Sequence, residues 1–252
     1  MKLYVIGQST CYGMDLLPGK SGLSLREYRQ KYNFAGLLGD KLGMEVVNSS
    51  YPMCSLATIT KRISEEYDSI NPELTVVGIP QATLRGVWDP EKGGFADILQ
   101  NEYYLPERVV YLNDDIVRTR YKTEVAKAAY QEYKENVTLE RAIADYQEDI
   151  IKLQSLLKEK NAKYIFVQIA PIIPNKIENG YTGAENPEKS FAKYMDRLDE
   201  IDTSKFIRFD EFNVIESMRH LPKGKTGHIL EEGHRQIAEL VYEKYISTYL
   251  SD

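Results

Sequence analysis

The chain has 252 residues, of which 42% are hydrophobic, and its 38 acidic and 32 basic side chains give a net charge of −6. A domain of this length buries enough apolar surface to fold without a disulfide or a structural metal. The acidic balance argues against sequence-independent nucleic-acid binding, which depends on neutralising phosphates. No apolar run approaches the roughly 20 residues that span a membrane.

The cysteine content and the N-terminal segment indicate the compartment. The chain has only two cysteines, Cys11 and Cys54, which are too few for a disulfide framework and lie in no metal-ligand spacing. The first residues read as a strand rather than as a secretion signal. We therefore expect a cytoplasmic protein without a metal or other cofactor.

Short apolar runs rich in β-branched residues alternate with longer amphipathic stretches along the chain. This alternation is typical of parallel strands joined by crossover helices, and the runs are apolar throughout, as expected for strands buried on both faces. The predicted strands cover residues 3–6, 45–47, 74–79, 164–169 and 206–209. The pattern predicts a single α/β domain over residues 1–252.

The first crossover helix has a clear start signal. Ser24 and Glu27 have the spacing of a capping box, in which each side chain satisfies a free backbone N–H of the other residue. We predict that the helix they open ends near Gly43. Other amphipathic stretches predict helices over residues 55–67, 186–200 and 231–250.

The segment from residue 84 to residue 160 is longer than an ordinary connection between a strand and a helix. Its second half carries apolar residues at spacings of three and four. This pattern indicates either a crossover helix on the sheet or a coiled-coil arm, and fewer than four clean heptads favour the crossover helix. Its first half predicts an inserted lid or loop over the carboxyl edge of the sheet, where ligands bind in open α/β folds. We place this insertion at about residues 84–135.

Two segments place candidate catalytic residues at the carboxyl edge of the predicted sheet. Ser9 directly follows the first predicted strand, where a hydroxyl is either a nucleophile, if a base lies within reach, or a turn or cap residue. All three histidines, His220, His228 and His234, lie near the C-terminal end of the chain. His228 lies in a predicted loop before the last helix, so it is the candidate base.

Other reactive side chains are interpreted as structural. Cys54 is expected to be a small buried residue, and His234 is expected to pack beside the sheet at the start of the last helix. The histidines form no His-Glu-x-x-His pattern, so no zinc site is predicted.

In the segments that carry Ser9 and His228, the sequence resembles the SGNH (GDSL) hydrolase family. The Gly-Gln-Ser run at residues 7–9 resembles the Gly-Asp-Ser block, and residues 48–55 resemble the second block. The run from His228 through residue 238 resembles the last block. The resemblance implies a flavodoxin-like, three-layer α/β/α sandwich with a five-stranded, mostly parallel sheet, a Ser9 nucleophile and a His228 base.

Three positions depart from the family pattern. Met53 stands where the family has a glycine, although its backbone N–H remains available as an oxyanion donor beside that of Ser9. The third block lacks the asparagine that helps to bind the oxyanion, and Gln81 is the nearest amide that could replace it. Lys225 stands where the family has the aspartate that orients the histidine. Either a backbone carbonyl or another acid, first of all Asp210, would then orient the ring of the base.

The resemblance implies a serine hydrolase that cleaves an ester, with an acetyl or other short acyl group on a carbohydrate as the candidate substrate. The expected partner is a small-molecule or carbohydrate ester rather than a nucleic acid or a membrane. The three departures leave a second hypothesis open, which is a catalytically weakened module of the same fold that binds its ligand without cleaving it.

Overall fold

A computed structural model describes residues 1–82, 84–91, 93–99, 123–136, 138–168, 172, 176–177, 180–181, 194–195, 198–208 and 229–250. The helices in this part of the chain are α1 Ser9–Tyr12, α2 Leu25–Tyr32, α3 Phe34–Leu42, α4 Leu56–Ile70, α5 Glu124–Asn136, α6 Leu139–Glu159 and α7 Glu231–Tyr249. The strands are β1 Lys2–Ile6, β2 Glu45–Asn48, β3 Leu74–Ile79, β4 Leu84–Asp89, β5 Gly94–Leu99, β6 Tyr164–Gln168, β7 Lys176–Ile177, β8 Gly180–Tyr181 and β9 Phe206–Ile207.

The main sheet has the strand order β2-β1-β3-β6-β9, and every pair of neighbours is parallel. All five predicted strands are therefore present, but the last was predicted too long, because it ends at Ile207 and Arg208 lies outside it. Residues 169 and 209 of the predicted strands lie outside the described residues. The chain moves from β1 to one side of the sheet and then returns to the other side as β3. Ligands of open α/β folds bind at such a switch point, outside the carboxyl ends of the two strands.

Alternate side chains of each strand enter two separate cores, which makes the fold a three-layer α/β/α sandwich. Tyr4 and Ile6 belong to the core beneath α4 and α6, whereas Leu3 and Val5 belong to the core beneath α3 and α7. All four side chains are fully buried. Both faces of the sheet are thus covered, which explains the continuous apolar runs in the sequence.

The helix predicted from the capping box to Gly43 is in fact two helices, so that prediction was wrong in its extent. The capping box between Ser24 and Glu27 is present, but Asn33 ends α2 and caps α3. The Asn33 side chain accepts a hydrogen bond from the N–H of Gly36 and donates one to the carbonyl of Cys11. This tertiary contact with α1 holds the chain in an extended conformation at Asn33, and the helix restarts there.

The helix predicted over residues 186–200 lies mostly outside the described residues. Asp199 and Glu200 form a turn instead of a helical end, closed by the N–H of Ile201 on the carbonyl of Leu198. The predicted end of this helix was therefore wrong. The last predicted helix is confirmed as α7.

The long segment after β3 contains an antiparallel hairpin, β4–β5, followed by α5 and α6. Ile150, Leu153 and Leu157 of α6 are fully buried in the core beneath the sheet face. The crossover interpretation of this helix is confirmed, and the coiled-coil arm is not. In the described ranges, no helix is long and apolar enough to cross a membrane.

Candidate functional site

Ser9 is the first residue of α1 and lies just beyond the carboxyl end of β1. It is half-buried. The short helix is closed by Gly13 in a left-handed conformation, and the N–H of Met14 donates a 2.9 Å hydrogen bond to the carbonyl of Ser9. The backbone that carries the candidate nucleophile is therefore held at both ends, by the strand before it and by this turn after it.

Gly7 lets the chain at the end of β1 approach β3 closely. A β-carbon at Gly7 would lie 2.5 Å from Sγ of Cys11, closer than real contacts allow, and 3.0 Å from Cα of Gly78, which is tighter than most real contacts. A side chain here would force Cys11 and the backbone of Gly78 to shift. The candidate nucleophile consequently lies at the switch point between β1 and β3.

The segment after β2 is hydrogen-bonded to the end of β1. The N–H of Ser49 donates to the carbonyl of Val5 at 2.9 Å, and the N–H of Tyr51 donates to the carbonyl of Gly7 at 3.1 Å. The Asn48 side chain donates to the carbonyl of Cys11 at 2.9 Å, which ties this segment to α1 as well. The structure therefore brings the second block next to the Ser9 turn.

Met53 has a left-handed backbone, with φ of 64°. Side chains other than glycine rarely adopt this conformation, because the β-carbon crowds the following carbonyl oxygen. The sequence resemblance places a glycine here, and Met53 keeps the backbone conformation that glycine adopts easily. The side chain is only partly buried.

Gln81 follows β3 at the same edge of the sheet and is partly exposed. Its carbonyl accepts a 3.1 Å hydrogen bond from the N–H of Leu84, and the N–H of Ala82 donates to the carbonyl of Ile172 at 2.9 Å. The backbone around this candidate oxyanion donor is thus held by hydrogen bonds.

The remaining candidates, His228, Asp210 and Lys225, lie outside the described residues. The residue after the candidate base, Ile229, is buried in the core beneath α3 and α7. Its side chain packs on Gly233 so closely that a β-carbon there would lie 2.8 Å from Cβ of Ile229.

Asp97 of the β4–β5 hairpin is a residue that the sequence interpretation missed. Its Oδ1 accepts hydrogen bonds from the hydroxyls of Ser55 and Thr58, both at 2.6 Å, and from the N–H of Ser55 at 3.1 Å. Its Oδ2 accepts from the hydroxyl of Tyr51 at 2.9 Å. These partners lie on both sides of Met53. No sequence signal marks this aspartate, because its partners are more than 35 positions away.

Both cysteines are buried free thiols. Burial raises the pKa of Cys54 to about 12 and raises that of Cys11 still further above its ordinary value. A thiol with a raised pKa is a poor nucleophile, since the thiolate is the reactive form. The interpretation of Cys54 as a small buried residue is confirmed.

His234 is fully buried, and its Nδ1 accepts a 3.1 Å hydrogen bond from the N–H of Phe34. The predicted packing role at the start of the last helix is confirmed. Across the described part of the chain, His, Cys, Asp and Glu side chains form no group of three or more that could hold a metal ion.

The described architecture, a three-layer α/β/α sandwich around a parallel five-stranded sheet, is a fold that solved esterase structures share. Solved structures with this fold that are similar to the chain include the psychrotrophic esterase EstA from Pseudoalteromonas sp., with a TM-score of 0.52 and 12% identity over 100% of this chain and 99% of that one. LAE5, an alpha/beta hydrolase enzyme from the metagenome of Lake Arreo, has a TM-score of 0.54 and 14% identity over 96% and 94%.

A third similar structure is a catalytic mutant of Axe2, an acetylxylan esterase from Geobacillus stearothermophilus. It has a TM-score of 0.52 and 16% identity over 96% of this chain and 93% of that one. No family model matches the chain, and no curated protein matches it in sequence. Because the sequence identities are this low, the similarity to these solved structures establishes the fold alone.

Proposed function

We propose that the protein is a serine esterase of the SGNH type, with Ser9 as nucleophile and His228 as general base. The observation that carries the proposal is the position of Ser9. It opens a helix at the carboxyl end of β1, at the switch point with β3, in a fold shared with esterases. Open α/β folds bind their ligands in the crevice at this place.

In the proposed reaction, Oγ of Ser9 attacks the ester carbonyl carbon while His228 takes the hydroxyl proton. The tetrahedral intermediate collapses when the carbon–oxygen bond to the alcohol breaks, and His228 gives its proton to the departing oxygen. Water then attacks the acyl-enzyme, again with His228 as base, and releases the carboxylic acid and free Ser9.

The developing oxyanion needs hydrogen-bond donors. We assign this role to the backbone N–H groups of Ser9 and Met53, with the side-chain amide of Gln81 as a third candidate. In comparable enzymes the loss of one such donor lowers kcat by about 10²–10³. Gln81 is longer than the asparagine of the family, so a weaker third donor is expected to make this esterase slower than those with the full set.

A carboxylate that orients the imidazole is the missing part of the usual triad. We propose Asp210, which follows β9 in the chain, as the orienting acid, with a backbone carbonyl as the alternative partner. The Lys225 ammonium at the usual acid position is unsuitable, since it neither accepts the imidazole N–H nor stabilises the imidazolium.

The proposed substrate is a small-molecule or carbohydrate ester with an acetyl or other short acyl group. The acetylxylan esterase with this fold supports a carbohydrate ester. A methionine in place of glycine at position 53 leaves less room beside the scissile bond than the family pattern does, which favours a short acyl group.

The test is covalent labelling of Ser9. The wild-type protein is treated with a fluorophosphonate and the adduct is located by mass spectrometry, beside Ser9→Ala and Thr10→Ala, the latter a matched loss of a neighbouring hydroxyl. We expect an adduct on Ser9 in the wild type and in Thr10→Ala, together with hydrolysis of short-chain aryl esters. The proposal fails if the wild type gives neither the adduct nor Ser9-dependent hydrolysis.

Lys225 favours a second candidate, a binding module that has lost turnover. If this candidate is correct, a carbohydrate ester raises the melting temperature of the wild type and of Ser9→Ala equally, and neither protein hydrolyses it. Labelling and hydrolysis by the wild type would contradict it.

A further inference from the structure

We propose that Asp97 is a positioning residue that fixes the segment carrying Met53, so that the inserted hairpin completes the oxyanion site. This inference rests on the proposed function. It concerns a residue of the inserted segment that binds neither the substrate nor the reacting atoms, and that acts through the backbone of residues 51–55.

The hydrogen bonds of Asp97 enclose Met53 from both sides. Tyr51 lies two residues before Met53 and donates to Oδ2, whereas Ser55 lies two residues after it and donates twice to Oδ1. Ser55 is also the N-cap of α4, where its side chain accepts from the N–H of Thr58. One carboxylate therefore connects the two ends of the Met53 turn to the start of α4.

A carboxylate suits this position better than any neutral side chain. Asp97 accepts four hydrogen bonds, and an ionised carboxylate offers acceptors on both oxygens. It also lies at the N-terminus of α4, a 15-residue helix whose dipole favours negative charge.

The left-handed conformation of Met53 gives the second argument. A non-glycine residue in this region costs about 1–3 kcal/mol and persists only where the surrounding structure over-determines it. The hydrogen bonds of Tyr51 and Ser55 to Asp97 supply that constraint, as does the hydrogen bond from the N–H of Tyr51 to Gly7. Without Asp97, the turn is free to relax, and the N–H of Met53 moves away from the carbonyl to be attacked.

The hairpin is pressed against this turn by close packing. Gly86 is paired with Asp97 across the hairpin, and a β-carbon at Gly86 would lie 2.6 Å from Oγ of Ser55 and 2.8 Å from Cβ of Ala57. The hairpin backbone thus lies directly on the start of α4, which aims the carboxylate at the turn.

The opposite face of the same hairpin supplies a matched control. Asp89 is fully buried, and it accepts hydrogen bonds from the hydroxyl of Thr123 and from the N–H of Glu91. It anchors the hairpin to the start of α5, away from residues 51–55. Asp89→Ala therefore removes a buried carboxylate from the hairpin without touching the Met53 turn.

The experiment measures kcat and KM for a short-chain aryl ester in wild type, Asp97→Ala, Asp97→Asn and Asp89→Ala, well below each melting temperature. Misplacement of a catalytic group by about 1 Å costs about 100-fold, so we expect Asp97→Ala to lower kcat about 10- to 100-fold with KM within about threefold. Asp97→Asn keeps one acceptor oxygen, so its kcat should fall less than that of Asp97→Ala. Asp89→Ala should keep kcat within about twofold.

The pH at which activity is half-maximal should be unchanged in all variants, because Asp97 carries no proton in the reaction.

Two spectroscopic readouts accompany the kinetics. The ¹³C-methyl signal of Met53, assigned with Met53→Leu, should shift in Asp97→Ala and stay in place in Asp89→Ala. Trp88 is the single tryptophan of the chain and packs edge-on against Phe95 of the hairpin, so its fluorescence reports whether the hairpin itself has moved. If Asp97→Ala does not fold, Asp97→Asn and Tyr51→Phe test the same contact, since each removes the bond to Oδ2.

The inference is overturned if Asp97→Ala keeps kcat within twofold, or if Asp89→Ala loses as much activity as Asp97→Ala. A wild type without Ser9-dependent hydrolysis overturns the proposed function alone. In that case the ¹³C-methyl signal of Met53 decides whether Asp97 holds the turn. An unchanged signal in Asp97→Ala overturns the positioning role of Asp97 as well.

Discussion

The backbone N–H of Phe34 donates a 3.1 Å hydrogen bond to Nδ1 of His234, although the two residues are 200 positions apart. The rings of the two residues also stack, with centroids 6.3 Å apart. An imidazole that accepts at Nδ1 is neutral and carries its proton on Nε2. His234 therefore joins the start of α3 to the first turn of α7, and α7 begins three residues after the candidate base.

Replacing His234 by alanine should destabilise the protein by about 2–4 kcal/mol, because it leaves a cavity and a buried N–H without its acceptor. His234→Asn should recover part of this loss, since an amide oxygen can replace Nδ1 as acceptor. The measurement is the free energy of unfolding in urea. Arg235→Ala, at an exposed position on the same helix, is the control, and an equal loss in the two alanine variants would contradict the assigned role.

Glu66 makes the stability depend on pH below about 5. Burial raises its pKa, but hydrogen bonds from Ser49, Arg62 and Tyr4 outweigh burial, and the net pKa lies below the ordinary value of 4.5. A carboxylate whose pKa is lowered on folding contributes stability above its unfolded pKa and loses it as the pH falls through the folded pKa. Glu66→Gln should therefore be clearly less stable than wild type at pH 7, and the difference should narrow at pH 3.5. A constant difference in melting temperature across this range would contradict the prediction.

Gly7→Ala should destabilise the protein by about 1–3 kcal/mol, since the new β-carbon would lie 2.5 Å from Sγ of Cys11 and 3.0 Å from Cα of Gly78. The double variant Gly7→Ala with Cys11→Ala should not regain full stability, because the Gly78 backbone cannot move aside as a side chain can. Gly94→Ala, where no atom lies within 4 Å of the added carbon, is the control for the loss of glycine itself. Thermal unfolding of the four proteins is the measurement, and equal losses at the two glycines would disprove the close approach.

Substitutions at Met53 separate backbone strain from side-chain crowding. Met53→Ala keeps a β-carbon in the left-handed region, which costs about 1–2 kcal/mol, whereas Met53→Gly removes that cost but gains about 0.4–1 kcal/mol of unfolded-chain entropy. We expect Met53→Gly to be more stable than Met53→Ala by about 0.5–1 kcal/mol in urea unfolding. An alanine variant as stable as the glycine variant would show that the turn has relaxed.

The sequence predicted best the features that depend on neighbouring residues or on a periodic pattern of apolar residues. The strand from Leu74 to Ile79 was predicted over its full length, because an apolar run buried on both faces leaves a continuous signal. The capping box of Ser24 and Glu27 was also predicted, since both partners lie within one helical turn. The order of the blocks then indicated the fold.

Contacts between distant segments left no such signal. The break at Asn33 depends on the carbonyl of Cys11, and the hydrogen bonds of Asp97 depend on residues of the second block. A side chain that bonds across more than 20 positions obeys no spacing rule, so neither contact could be read from the chain itself.

By itself, then, the sequence determined the parallel sheet, its strands and the positions of the Ser9 and Met53 blocks along it, because apolar periodicity and short motifs record local preferences. Only the tertiary structure decided that a side chain at Gly7 would crowd Cys11 and Gly78, that Met53 takes a left-handed backbone, and that Asp97 bridges Tyr51 and Ser55 around it. These features come from the close approach of segments that are far apart in the chain, and packing and hydrogen bonding fix their geometry only when the sheet has formed.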